Sequence, residues 1–179
     1  MLRSLIFTSM YKGIEFFTAT CLNWQMLLKP DARKDILMNS LKFMVEEKRI
    51  WLYGFVIMPN HIHLMWRRQD EWLNKSTEQM FLKFTAQQIK FMMVASNPEE
   101  LENYRSTQSD RLYHFWERRP YAATMYNRGV AGQKISYMHH NPVRAGLCII
   151  PEDYHYSSAK FYESNVDDWG LITHYAEHL

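Results

Sequence analysis

Residues 54–66, Gly-Phe-Val-Ile-Met-Pro-Asn-His-Ile-His-Leu-Met-Trp, constrain the fold more than any other stretch of the chain. Ile57 and Met58 close one apolar run, Pro59-Asn60 supply turn chemistry, and a second run begins at His61. That order predicts strand, tight connection, strand. Side chains alternate along a strand, so His61, His63 and Met65 share one face while Ile62, Leu64 and Trp66 take the other. The apolar set needs a core, which turns both imidazoles together toward the opposite surface. Imidazoles so spaced suit a shared metal ion, and they suit ordinary strand positions as well.

The hairpin needs partners, and the chain supplies them in order. Glu15 to Leu22 is rich in aromatic and β-branched residues and predicts a first strand. Asp31 can cap a helix whose apolar positions Leu37, Leu41, Met44 and Val45 recur at helical spacing, ending near Lys48-Arg49. Ile50 to Met58 and His61 to Arg68 are the second and third strands. Ser76-Thr-Glu-Gln79 has the form of a capping box, followed by an apolar stripe of Met80, Phe81, Phe84, Gln88, Phe91 and Met92 to about Ala95. Lys83, Gln87 and Lys90 fall on another face of that helix, suited to solvent or to phosphate.

Asn97 to Asp110 lacks periodicity and predicts a surface loop. In Tyr113 to Arg119, aromatics interleave with arginines, a combination that can stack a base beside a neutralised phosphate. Phe115 or Trp116 is expected partly buried, Arg118 and Arg119 exposed. Tyr121 to Tyr126 reads as a fourth strand. The order β-α-β-β-α-β predicts an α+β, ferredoxin-like antiparallel sheet backed by helices, with a C-terminal helical extension from Ser157-Ser158. Gly132 to Asn141 predicts a short helix stopped by Pro142, with Gln133, Tyr137 and Asn141 along one side and Ile135 and Met138 toward a core. On spacing alone Tyr137 fits an amphipathic core residue as well as a reactive one. His174 and His178 read as surface residues.

Length and composition narrow the class. A chain of 179 residues suits one domain, residues 1–179, burying roughly 70% of its unfolded surface. An apolar fraction of 47% excludes disorder, and no apolar run nears the length of about 20 residues that crosses a bilayer, so no membrane partner is expected. Residues Met1 to Tyr11 lack the pattern of a signal peptide, and Cys21 and Cys148 form no CxxC; a reduced, cytoplasmic setting follows. The formal net charge of +2 leaves any nucleic-acid site to a local patch.

Pro59-Asn-His-Ile-His63, then Phe115-Trp-Glu-Arg118, then Tyr137-Met-His-His-Asn-Pro-Val-Arg-Ala-Gly146, and last Pro151-Glu-Asp-Tyr154 with Ser157-Ser158, form an ordered set from about Glu15 to Phe161. In this the chain resembles the REP-associated tyrosine transposases of the HUH single-strand transposase superfamily. The resemblance implies a nuclease core in which His61, His63 and Asn141 hold one divalent ion, Mg²⁺ or Mn²⁺, and Tyr137 is the nucleophile. It implies a substrate of single-stranded or hairpin DNA, cut and rejoined through a 5′-phosphotyrosine by a monomer or homodimer in the bacterial cytoplasm, nucleoid-associated when DNA is bound. Arg118, Arg119, Trp116, Lys83, Lys90 and Arg144 are the candidate DNA contacts. Lys134 and His140 lie three residues to either side of Tyr137 and could tune its phenol. Many superfamily members carry Gln where this chain has Asn141, one methylene shorter. Two other functions fit less of the pattern: a domesticated protein that binds hairpin DNA with little or no cutting, and a hydrolytic metalloenzyme. The second wants a carboxylate near the histidines, and the nearest, Asp70 and Glu71, lie beyond the third strand.

Overall fold

The computed structural model describes residues 13–73 and 76–179. The expectation about a signal peptide falls on residues outside that range. Four strands, β1 (Ile14–Thr20), β2 (Ile50–Ile57), β3 (His61–Arg68) and β4 (Tyr121–Met125), form an antiparallel sheet in the order β2-β3-β1-β4. This is the ferredoxin-like arrangement that the element order predicts. The hairpin from β2 to β3 turns at Pro59-Asn60, and Met58 N–H donates to the His61 carbonyl at 2.8 Å. A bulge between Leu52 and Gly54 resets the register of β2.

The two faces of the sheet bury different sets. On one, α1 (Asp31–Glu46) and α2 (Thr77–Ser96) cover Phe17, Leu52, Phe55, Ile62, Leu64 and Trp66 in the larger core. On the other, α3 (Arg128–His139) lays Ala131, Ile135 and Met138 against Ile14, Phe16, Tyr53 and Met65. Burying each large apolar side chain stabilises the fold by about 1.5–3 kcal/mol. Gly54 lets α3 approach: a Cβ there would stand 2.3 Å from Met138 Cε and 2.7 Å from Ile135 Cδ1. The extension after α3 includes α4 (Ala159–Ser164), where Ser157 Oγ accepts from Ala159 N–H at 3.1 Å.

Several expectations are corrected. Pro30, not Asp31, occupies the N-cap of α1, and the Asp31 carboxylate instead pairs with Lys34 at 2.7 Å. Ser76 stands at the N-cap of α2 without a side-chain capping bond, so the capping box is not made. The buried stripe of α2 is Thr77, Phe81, Thr85, Ile89 and Met93, while Met80, Phe84 and Phe91 are exposed. Thr85 can take a core position because its hydroxyl donates to the Phe81 carbonyl at 2.9 Å, leaving no unsatisfied donor. Asn97 to Asp110 is no simple loop. Asn97 Oδ1 accepts from Glu100 N–H, Pro98–Leu101 is one helical turn, and Leu101 and Tyr104 are buried. Glu100 also receives a two-pronged ion pair from buried Arg33. His178 is not a bare surface residue, since its Nδ1 lies 2.7 Å from the Tyr53 hydroxyl.

Candidate active site

His61 and His63 project from β3 onto the face that α3 covers only in part. Their ring centres are 4.9 Å apart. The surface expected for both proves graded: His63 is 6% exposed and His61 intermediate, because Phe16 stacks on the His63 ring at 5.4 Å. Each ring is held by its Nδ1. Asn60 Oδ1, an acceptor, lies 2.7 Å from His61 Nδ1, which therefore carries the proton; the Thr18 hydroxyl lies 2.7 Å from His63 Nδ1. Neither Nε2 has a hydrogen-bond partner among the described residues. Burial holds both imidazoles neutral, pushing His63 down to about 3 with help from the neighbouring His61, Lys134 and Arg144. Neutral rings with free Nε2 lone pairs are what a divalent ion requires.

Tyr137 comes from α3, whose N-terminus is set by Asn127: its Oδ1 accepts from Gly129 N–H at 2.7 Å and from Val130 N–H at 3.4 Å. The helix thus begins four residues before the expected Gly132 and ends at His139, with His140 as its C-cap. Asn127 followed by Arg-Gly was the signal for that start. Tyr137 is 49% exposed, so it is not a core residue. Its ring meets the His63 ring edge-on at 5.8 Å. Lys134 Nζ lies 5.7 Å and the Arg144 guanidinium 4.9 Å from the Tyr137 ring centre, two cations beside one phenol.

Asn141 does not sit in the last turn of the tyrosine helix. It opens a separate turn, Asn141–Arg144, in which Pro142 starts a helix rather than only stopping one. Its Nδ2 donates to the Tyr137 carbonyl at 3.3 Å, and Arg144 donates to the same oxygen at 2.7 Å. The ring of His140 is held through Nδ1, 2.8 Å from the Ser136 carbonyl.

The other candidates divide by face. Arg118 and Arg119 are exposed as expected, whereas both Phe115 and Trp116 are buried, Trp116 with 5% exposure. Trp116 packs in the larger core, so it offers no stacking surface. Lys83 lines a groove with Arg118 between α2 and the segment before β4, and Lys90 lies over the Phe91 ring. Both lysines project from α2, across the sheet from the histidines. Among the described residues no group of three or more His, Cys, Asp or Glu side chains is placed to hold a metal ion.

His139, next to the site, is buried and bonded through Nε2 to Ser158 Oγ at 2.8 Å. Burial, with a smaller push from His140, lowers it to about 3. Above pH 6.5 the imidazole is neutral whether the chain is folded or not. Below that the unfolded chain takes up a proton that the folded chain refuses until about pH 3, so stability falls with pH. The expected loss from His139 is roughly 2 kcal/mol at pH 5 relative to pH 7. Denaturant titrations across that range check it, and His139→Gln should flatten the slope.

A scan against family models gives no match, and a search of curated proteins gives none. The four-stranded antiparallel sheet, with two helices on one face and the Tyr137 helix on the other, has counterparts among solved structures. One solved structure similar to it is a REP-associated tyrosine transposase bound to a REP hairpin, with TM-score 0.62 and 15% identity over 91% of this chain and 87% of that one. The likeness establishes the fold. A crystal structure of a candidate transposase from Deinococcus radiodurans R1, with TM-score 0.43 and 15% identity over 73% of this chain and 91% of that one, is too distant to carry an argument. Among the described residues no helix is long and apolar enough to cross a membrane.

Proposed function

We propose that this chain is a metal-dependent transposase that cleaves and rejoins single-stranded, hairpin-associated DNA through a covalent bond to Tyr137. One observation supports it above the rest: a half-exposed tyrosine whose ring lies against His63, which with His61 forms a pair of neutral histidines with both Nε2 atoms free. The residues fit a divalent ion. His61 and His63 would give Nε2, and Asn141 its Oδ1, since only its Nδ2 is engaged. Bound there, Mg²⁺ or Mn²⁺ supplies positive charge to the phosphate oxygens.

Tyr137 does the covalent work. Its Oη attacks phosphorus in line, the new O–P bond forming as the P–O3′ bond breaks; the phenol gives up its proton, and the departing 3′ oxygen takes one up. An ordinary phenol at pH 7 costs roughly 4 kcal/mol to ionise. Lys134 and Arg144, beside the ring, favour the developing negative charge on phenolate and phosphate. The resulting 5′-phosphotyrosine keeps the energy of a phosphate ester, so a 3′-hydroxyl can reverse the step and join strands without a nucleotide cofactor.

A cleft built for an unpaired strand should prefer one. Hairpins with a single-stranded tail are expected to bind at least about tenfold tighter than blunt duplex at fixed salt, measured by fluorescence polarisation. Equal affinities would remove the single-strand reading.

A further inference from the structure

Trp116 cannot stack a base, yet an aromatic ring does stand open beside the histidines. Trp24 is 61% exposed, and its ring meets the His61 ring edge-on at 5.8 Å. Its exposure does not come from a loose loop. Cys21 before it and Leu27 and Leu28 after it are fully buried. Cys21 N–H donates to the Asn60 carbonyl at 2.8 Å and Leu28 N–H to the Pro59 carbonyl at 2.8 Å, so the loop is tied at both ends to the turn that carries His61. On the other side Leu22 N–H donates to the Phe115 carbonyl and Asn23 N–H to Glu117 Oε1, each at 2.8 Å.

The backbone makes the exposure more telling. Asn23 and Trp24 both hold left-handed conformations, with φ of 52° and 56°. Asparagine tolerates that region, but a bulky aromatic side chain rarely enters it, and strain of this kind persists where the surroundings enforce it. Here the enforced geometry lifts a large apolar ring into solvent against His61, one of the two imidazoles proposed to hold the metal. Asn23, its neighbour, lines a polar cavity of about 360 Å³ together with Arg105, His114 and Arg118. Arg118 makes no ion pair among the described residues. The open ring thus lies between His61, which it touches, and the cavity that its neighbour Asn23 shares with Arg118.

We infer that Trp24 is the stacking platform for an unpaired base adjoining the scissile phosphate, and that the strand continues past it toward Arg118. The inference rests on the DNA-cleaving reading above. Its ligand is a single-stranded nucleobase, recognised by its π face and therefore with little dependence on which base it is.

The test uses binding without metal, so that catalysis does not enter. Wild-type protein, Trp24→Ala and Trp24→Phe are titrated with a blunt hairpin, a hairpin with a single-stranded tail, and tailed hairpins carrying one abasic site at successive positions. Trp24→Ala should lose about tenfold on the tailed hairpin and nothing on the blunt one, with Trp24→Phe retaining most of the affinity. One abasic position should cost the wild type the same factor and cost Trp24→Ala nothing further. Unchanged tail binding by Trp24→Ala, equal loss on the blunt hairpin, or additive losses would each overturn the stacking role while leaving the proposed function standing. A wild type that binds no tailed hairpin would sink both.

Discussion

Tyr137→Phe is expected to abolish the proposed covalent adduct between protein and DNA, with a loss in cleavage on the order of 10³-fold or more. The change removes one oxygen and keeps the ring. Because Tyr137 is half exposed and its hydroxyl makes no hydrogen bond among the described residues, its edge contact with His63 and the cations beside it survive. Folding and hairpin binding should therefore match the wild type. The readout is a denaturing gel with label on the fragment downstream of the cut, where attack by the tyrosine leaves a protein-sized shift at the 5′ end. An adduct that persists in Tyr137→Phe would move the nucleophile elsewhere, with Tyr121 and Tyr126, both exposed, next in line. A wild type that binds hairpins but never forms the adduct would favour the domesticated binder.

His61→Ala and His63→Ala should each reduce cleavage by a similar factor and leave hairpin binding within about twofold, because the role proposed for the imidazoles is at the scissile phosphate and not at the stem. Chelation of divalent ions should do the same to the wild type. The two variants ought to differ in stability. His63 is nearly buried, stacks on Phe16 and engages the Thr18 hydroxyl, so its loss strands a polar group and opens a void; His61 is less buried and bonds only to its neighbour Asn60. A deficit of about 1–3 kcal/mol is expected for His63→Ala and less for His61→Ala, read from denaturant midpoints. Cutting by either variant in excess chelator would rule out the metal.

The sheet was legible because its strands are short alternating or apolar runs with sharp punctuation. The third strand runs from His61 to Arg68 as its pattern predicts, and the second ends one residue early. The apolar stripe of α2 misled because phenylalanine outranks threonine in any hydrophobic count, and only the tertiary fold shows that Thr85 has its hydroxyl satisfied within the helix. Asn97-Pro98 ahead of two acidic residues carried a readable helix start, an asparagine cap with proline at the first position, inside a stretch that otherwise lacks periodicity. Of the candidate site, the juxtaposition of His61, His63 and Tyr137 followed from the ordered motifs. Trp24 did not. No spacing rule marks it, since its prominence arises from a backbone conformation that a tryptophan does not announce.

The helix bearing Tyr137 is fastened along its whole length. At its start Arg128 donates to the carbonyls of Ala176 and Leu179; at its end His139 grips Ser158, and Asn141 and Arg144 both bind the carbonyl of Tyr137 itself. Methionine and isoleucine side chains press its middle into the gap that Gly54 leaves. As the proposed nucleophile, Tyr137 mounted this way would be an anvil and not an arm. In strand exchange the freed end and the incoming 3′-hydroxyl would have to trade places over a stationary phosphotyrosine, so the choreography of joining would belong to the DNA.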